Sequence, residues 1–157
     1  MTDRSTIHAS AVLVGARAIL IRGPSGSGKS RLAWNLLLAA RHGPLPFARL
    51  VGDDRVHVDG HAGRLVVRPA QTLTGLIEIR GLGIRRLPYE REAVVGWVVD
   101  LDAADAARHP APPADRAVID GISVPRLAVA AETEPMPMVL AALGPLLETP
   151  LGDPSYG

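Results

Sequence analysis

Gly23-Pro24-Ser25-Gly26-Ser27-Gly28-Lys29-Ser30 is a complete G-x-x-x-x-G-K-S run, and its two flanks decide the fold. Ahead of it, Ala18 to Arg22 is a short apolar run. Behind it, Leu32, Leu36 and Ala39 fall near one helical face, with Arg41 in the last turn and Gly43 as a C-terminal stop. Strand, glycine loop and helix in that order aim the loop amides and the helix N-terminus at one point, where a polyphosphate can sit. Glycine suits such a loop because backbone must come close to phosphate oxygens, in places with positive φ. Lys29 is the single lysine among seventeen basic residues, the rest being arginine. A compact ammonium on a thin stem fits between loop and phosphate where a planar guanidinium fork does not. Lys29 is expected to meet the β and γ phosphates of a nucleoside triphosphate, and Ser30 to offer its hydroxyl to the Mg²⁺ that bridges them.

Working outward, Ala11 to Val14 and Ala18 to Arg22 flank Gly15-Ala16-Arg17 and predict a strand pair on a tight turn. Leu50-Val51 predicts a strand running into Asp53-Asp54. Arg55 to Asp59 and Arg64 to Arg68 predict a hairpin, and Gly75 to Arg80 and Val94 to Asp100 two further strands. Residues 102 to 115, rich in Ala, Pro and Asp, read as a surface connection with at most one short helical turn. Asp120-Gly121 turns a last pair, Ala117 to Ile119 against Ile122 to Val129. Met138 to Leu147 reads as a C-terminal helix after Pro135 and Pro137, and Pro150 to Gly157 as a frayed tail.

Length and composition bound the rest. At 157 residues with 47% hydrophobic content the chain suits one domain, with its core over about 7–147 and a tail over 148–157. A net charge of +1 and an aromatic content of 3% give no field or stacking platform for nucleic acid. The absence of cysteine excludes disulfides and Cys-ligated zinc. The first residues lack a signal-peptide run, and no stretch approaches the roughly 18 apolar residues of a membrane span. The expected location is cytoplasmic, with no membrane partner.

Two more blocks carry chemistry. In Leu50-Val51-Gly52-Asp53-Asp54, adjacent carboxylates at the end of an apolar strand point to different sides, so one can hold Mg²⁺ while its neighbour accepts a proton from an attacking hydroxyl. In Gly75-Leu76-Ile77-Glu78-Ile79-Arg80-Gly81-Leu82-Gly83-Ile84, Glu78 and Arg80 share one face of a strand otherwise made of Leu and Ile. As a generic feature, a cross-strand ion pair at a sheet edge would look the same.

Together with His8-Ala9-Ser10-Ala11-Val12, these blocks resemble the HPr kinase/phosphorylase family, bacterial serine kinases that act on the phosphocarrier HPr and share a core with phosphoenolpyruvate carboxykinases. Ile77 to Ile84 matches the family's E-[IV]-R-G-[LV]-G-I signature, and the blocks cover about half the chain in the family's order. The resemblance implies an α/β or α+β fold, a single P-loop domain with a mixed sheet around the nucleotide. It implies that Gly23 to Ser30 bind ATP and that Ser30 and Glu78 bind Mg²⁺. Asp54 becomes the base that deprotonates the acceptor serine, with Asp53 assisting or touching the metal, the assignment between the two staying open. His8 becomes a helper beside the reacting phosphate, and Arg80 a support for Glu78 or the transferred group. His42, His57, His61 and His109 are left as surface residues. The implied partner is HPr, the implied setting phosphotransferase-system regulation, and the implied assembly a homo-oligomer, hexameric in full-length relatives.

Two departures qualify the resemblance. Few residues precede His8, so the N-terminal domain of longer members is expected to be missing. Where members carry an R-P-G-R-N-like segment tied to dephosphorylation, this chain has Ala131-Glu132-Thr133-Glu134-Pro135 after Val124-Pro125-Arg126. Loss of a cation there should weaken phosphorylase activity. A nucleotide-binding regulatory module without turnover and a small-molecule kinase are the alternatives.

Overall fold

The computed structural model describes residues 5–143. β1 (Ile7–Val14) and β2 (Arg17–Arg22) form an antiparallel hairpin, and β2 feeds through the glycine loop into α1 (Lys29–His42). There follow β3 (Ala48–Gly52), β4 (Arg55–His61), β5 (Arg64–Pro69), a 3-10 turn (Gln71–Leu73), β6 (Leu76–Ile79), β7 (Gly83–Arg86), β8 (Ala93–Asp100), β9 (Arg116–Ile119), β10 (Ile122–Ala128) and α2 (Pro135–Leu143).

Eight strands share one mixed sheet, while β6 and β7 form a separate two-stranded ribbon. β1 pairs with β2, β2 with β8, β8 with β5, β5 with β4 and β4 again with β1, so five strands close on one another. Within that ring β2 and β8 are parallel, from Ala18↔Val95 to Arg22↔Asp100. β3 lies antiparallel on the far half of β1, and β10 extends the sheet parallel to β8.

The ring has a core on each side of β2. Ala18 and Leu20 join Ala9, Val56, Val67 and Val98 in one buried cluster, while Ile19 and Ile21 join Leu32, Leu36, Leu50 and Val99 in the other, beneath α1. Burial on both faces explains why Ala18 to Ile21 reads as an unbroken apolar run rather than an alternation. α1 buries Leu32, Ala33 and Leu36 on this second cluster, and α2 adds Val139 to it.

Several expectations shift. The strand expected over Gly75 to Arg80 stops at Ile79, leaving Arg80 in the turn to β7, a strand not anticipated. The C-terminal helix starts at Pro135, because proline has no amide to lose in a first turn and its φ suits the helix. Its expected end at Leu147 and the tail over 148–157 lie outside the described residues. The connection over 102–115 contains turns and no helix. Gly43 ends α1 without a left-handed φ; its amide donates to the Ala39 carbonyl at 3.0 Å. His57 is half-buried with an unpartnered Nδ1, whereas His42, His61 and His109 are exposed. No helix among the described residues is long and apolar enough to cross a membrane.

Candidate active site

The glycine loop is shaped by close approach. Gly26 and Gly28 take φ of 80° and 99°, the left-handed region that glycine enters cheaply, and Gly28 caps the start of α1. At Gly23 a Cβ would come within 2.5 Å of the Ser27 Oγ and 3.1 Å of the Leu101 Cβ. The Ser27 Oγ itself is buried and has no protein partner. Lys29 is the first residue of α1 and largely buried; its Nζ donates to the carbonyls of Gly23 at 2.8 Å and Pro24 at 3.0 Å.

The acid pair follows β3, but not as strand residues. β3 ends at Gly52, and the chain bends through Asp53 and Asp54, with Asp54 at φ 67°. The side chains diverge because of this bend rather than because of strand alternation. Asp53 is 4% exposed and its carboxylate is saturated with donors. Oδ1 accepts from Ser10 Oγ at 2.6 Å and Ser30 Oγ at 2.8 Å, while Oδ2 lies 2.9 Å from Ser30 Oγ and accepts from the Glu78 amide at 3.3 Å. Asp54 faces solvent. Its Oδ1 lies 3.7 Å from His8 Nδ1, and both side chains are more than half exposed. Arg55 Nη2 approaches His8 Nε2 at 2.9 Å; since a guanidinium can only donate, Nε2 accepts and the neutral ring keeps its proton on Nδ1, toward Asp54.

One cleft of about 820 Å³ gathers most of these groups. The loop and first turn of α1 from Ser25 to Arg31 form one wall, and His8, Asp54, Glu78 and Arg80 face it. Gly23, Pro24 and Asp53 are not in its lining; Asp53 lies behind it, bonded to Ser30. No ion pair joins Glu78 to Arg80, and both are exposed. Ser10, Arg55, Trp34 and Asn35 escaped the sequence reading as contributors. Ser10 alone carried a signal, a single polar side chain inside the apolar stretch Ala9 to Leu13.

Among the described residues no three His, Cys, Asp or Glu side chains lie close enough to hold a metal ion unaided. The oxygen donors of Ser30, Asp53 and Glu78 nevertheless suit Mg²⁺, which uses one or two protein ligands and completes its shell with phosphate and water.

The base of the loop is braced from below. Asp100, at the end of β8, accepts a two-point pair from Arg22 at 2.7 and 2.8 Å and a third bond from Arg126 Nε at 2.5 Å. Arg126 also grips Asp105 through both terminal nitrogens at 2.9 Å. Burial works against ionisation of Asp100, but the hydrogen bonds and charges of Arg22 and Arg126 outweigh it and hold the carboxyl below its ordinary 3.8. Hydrogen bonds from Arg126 lower Asp105 as well. In the segment that departs from the family pattern, Glu134 pairs loosely with Arg31 at 3.4 Å.

Residues 1–88 match the family model for the HPr Serine kinase C-terminal domain. The chain is 39% identical over 85 residues to an HPr kinase/phosphorylase of Streptococcus thermophilus, a match covering 54% of this chain and 25% of that protein. A Clostridium beijerinckii HPr kinase/phosphorylase is 36% identical over 84 residues, 54% of this chain and 26% of that protein. The matched stretch thus spans about a quarter of the length of these relatives. The fold is similar to the Hpr(Ser) kinase/phosphatase from Coxiella burnetii, with a TM-score of 0.68 over 89% of this chain and 88% of that one at 22% identity. Since the family model matches residues 1–88, more than half of the chain and a span that holds the glycine loop, the acid pair and the Glu78 ribbon, the chain belongs to the HPr serine kinase C-terminal domain family.

Proposed function

We propose that this domain is an ATP- and Mg²⁺-dependent protein serine kinase that phosphorylates HPr or a close relative. The observation that carries the reading is convergence: the glycine loop, Lys29, Ser30, Asp54 and Glu78 all line one cleft. Lys29 leaves the Gly23 and Pro24 carbonyls for the terminal phosphates, with the loop amides around them. Ser30 and Glu78, with Asp53 behind, would hold Mg²⁺, which would supply the positive charge that offsets the phosphates. The acceptor seryl oxygen attacks the γ phosphorus in line; a new O–P bond forms as the bond to the β-phosphate oxygen breaks, and ADP leaves. Asp54, exposed on the cleft wall, takes the seryl proton, and His8 with its Nδ1 proton steadies Asp54.

Weak or absent phosphorylase activity belongs to the same reading. Ala131 to Pro135 supplies no cation, and the nearby Arg126 is engaged by Asp100 and Asp105. Incubation of the purified domain with HPr and γ-labelled ATP is expected to label a serine of HPr when Mg²⁺ is present. The absence of label under every metal condition, with ATP still bound, would replace this reading by a nucleotide-binding module without turnover. Label on a free metabolite in place of HPr would make it a small-molecule kinase.

A further inference from the structure

We infer that Ser10 is a positioning residue that fixes the two acids in their separate roles, a step that rests on the proposed metal and nucleotide site. Ser10 is fully buried on β1 between Ala9 and Ala11, both core residues. A hydroxyl in such surroundings is costly unless its hydrogen bonds are made. Here they are. Its proton goes to Asp53 Oδ1 at 2.6 Å, and its oxygen receives the Asp54 amide at 3.4 Å.

The strand pairing explains why this one side chain reaches both acids. β1 pairs with β3 as far as Ala11↔Gly52 and with β4 from His8↔Arg55, so the bend at Asp53-Asp54 falls in the gap opposite Ala9 and Ser10. The Ala9 amide closes that gap by donating to the Asp54 carbonyl at 3.2 Å. The Ser10 hydroxyl ties Asp53 inward while holding the peptide from which Asp54 turns outward at φ 67°.

Ser30 also donates to Asp53, but Ser30 is the hydroxyl that the site would give up to a cation. Once Ser30 is diverted, Asp53 keeps only Ser10 and the Glu78 amide as its anchors, and Ser10 makes the shorter bond. Ser10 therefore keeps the carboxylate aimed at Ser30 when the metal arrives. Losing such an outer hydrogen bond weakens metal affinity by about tenfold or more in comparable sites.

The test measures Mn²⁺ binding by electron paramagnetic resonance in the presence of a non-hydrolysable ATP analogue, and binding of that analogue in EDTA by calorimetry. Ser10→Ala should weaken Mn²⁺ about tenfold while metal-free nucleotide affinity stays within about twofold. In an Asp53→Ala background, which removes the acceptor of the Ser10 hydroxyl, Ser10→Ala should add no further loss. Ser10→Thr and Ser10→Val have nearly the same shape and differ in the hydroxyl, so only Thr should retain Mn²⁺ affinity, and this pair decides the matter if the alanine variant does not fold. Unchanged Mn²⁺ affinity in folded Ser10→Ala, equal affinity of the Thr and Val variants, or an additive loss with Asp53→Ala overturns the inference while leaving the kinase reading intact. A wild-type domain that binds neither the analogue nor Mn²⁺ removes both.

Discussion

In the proposed reaction Lys29 and Asp54 are the two side chains whose chemistry is least replaceable, for different reasons. Lys29 is largely buried, with its ammonium on the Gly23 and Pro24 carbonyls, which it would leave for a phosphate in the proposed reaction. An arginine there carries the same charge in a wider, planar head that cannot sit between the Gly23 and Pro24 carbonyls. Lys29→Arg is expected to cut phosphotransfer by about a hundredfold or more while the domain stays folded, as read by labelled transfer and by calorimetry. Asp54 sits at a positive φ that asparagine also tolerates, so Asp54→Asn keeps the backbone and removes the proposed base. Transfer should fall by about 10²- to 10⁴-fold while ATP affinity is retained. Undiminished turnover in this variant would move the base to another group. The two adjacent acids could be recognised from sequence, but not the division between them, because that depends on a bend in the chain and on Ser10 from another strand.

The β6–β7 ribbon brings Glu78 and Arg80 to the cleft although it stands outside the main sheet. Its root is Gly75, at φ 73°, whose missing Cβ would meet the Tyr89 ring at 2.9 Å and the Leu87 carbonyl at 3.1 Å. The Leu87 amide donates back to the Gly75 carbonyl at 2.8 Å, and Glu90 donates its amide to the Leu50 carbonyl of β3 at 2.8 Å. Gly75→Ala combines a strained φ with overlap against the Tyr89 ring and a tight approach to the Leu87 carbonyl, so it should cost about 2 kcal/mol of stability. It should also displace the ribbon, raising the Mg²⁺ concentration needed for half-maximal transfer more than the ATP concentration. Equal effects on both would mean that Gly75 acts on stability alone. The elements that local pattern dictates, the β1–β2 hairpin, α1 and the β9–β10 pair, were legible in sequence. The ribbon's second strand was not, because Gly83 to Arg86 is exposed at every position and carries no buried face to set a period.

At the scale of the molecule, the parallel pairing of β2 with β8 decides where the site forms. It places Asp100 beside Arg22, one residue before the glycine loop, and β10 brings Arg126 to the same carboxylate, so one acid ties three strands together at the root of the loop. Sequence patterning could not reveal this, since the three are distant along the chain, Arg22 and Asp100 pass for polar strand ends, and Arg126 for an outward-facing residue within a strand. The pairing also makes stability depend on pH in a definite direction. Asp100 has a lower carboxyl pKa folded than unfolded, so its stabilisation is complete above the unfolded value and drains away as pH falls through the folded one. Denaturation of the wild type should therefore steepen below about pH 4, where the unfolded chain takes up a proton that the folded carboxylate refuses. Asp100→Asn loses the charge at every pH and leaves Arg22 without its two-point partner; it should be about 2 kcal/mol less stable near neutrality. The gap to wild type should narrow as the solution is acidified, and urea midpoints at pH 7 and pH 3 measure both. A gap that stays constant between those pH values would mean that Asp100 braces the loop through its pair of acceptor oxygens, which an amide cannot copy, and not through its charge.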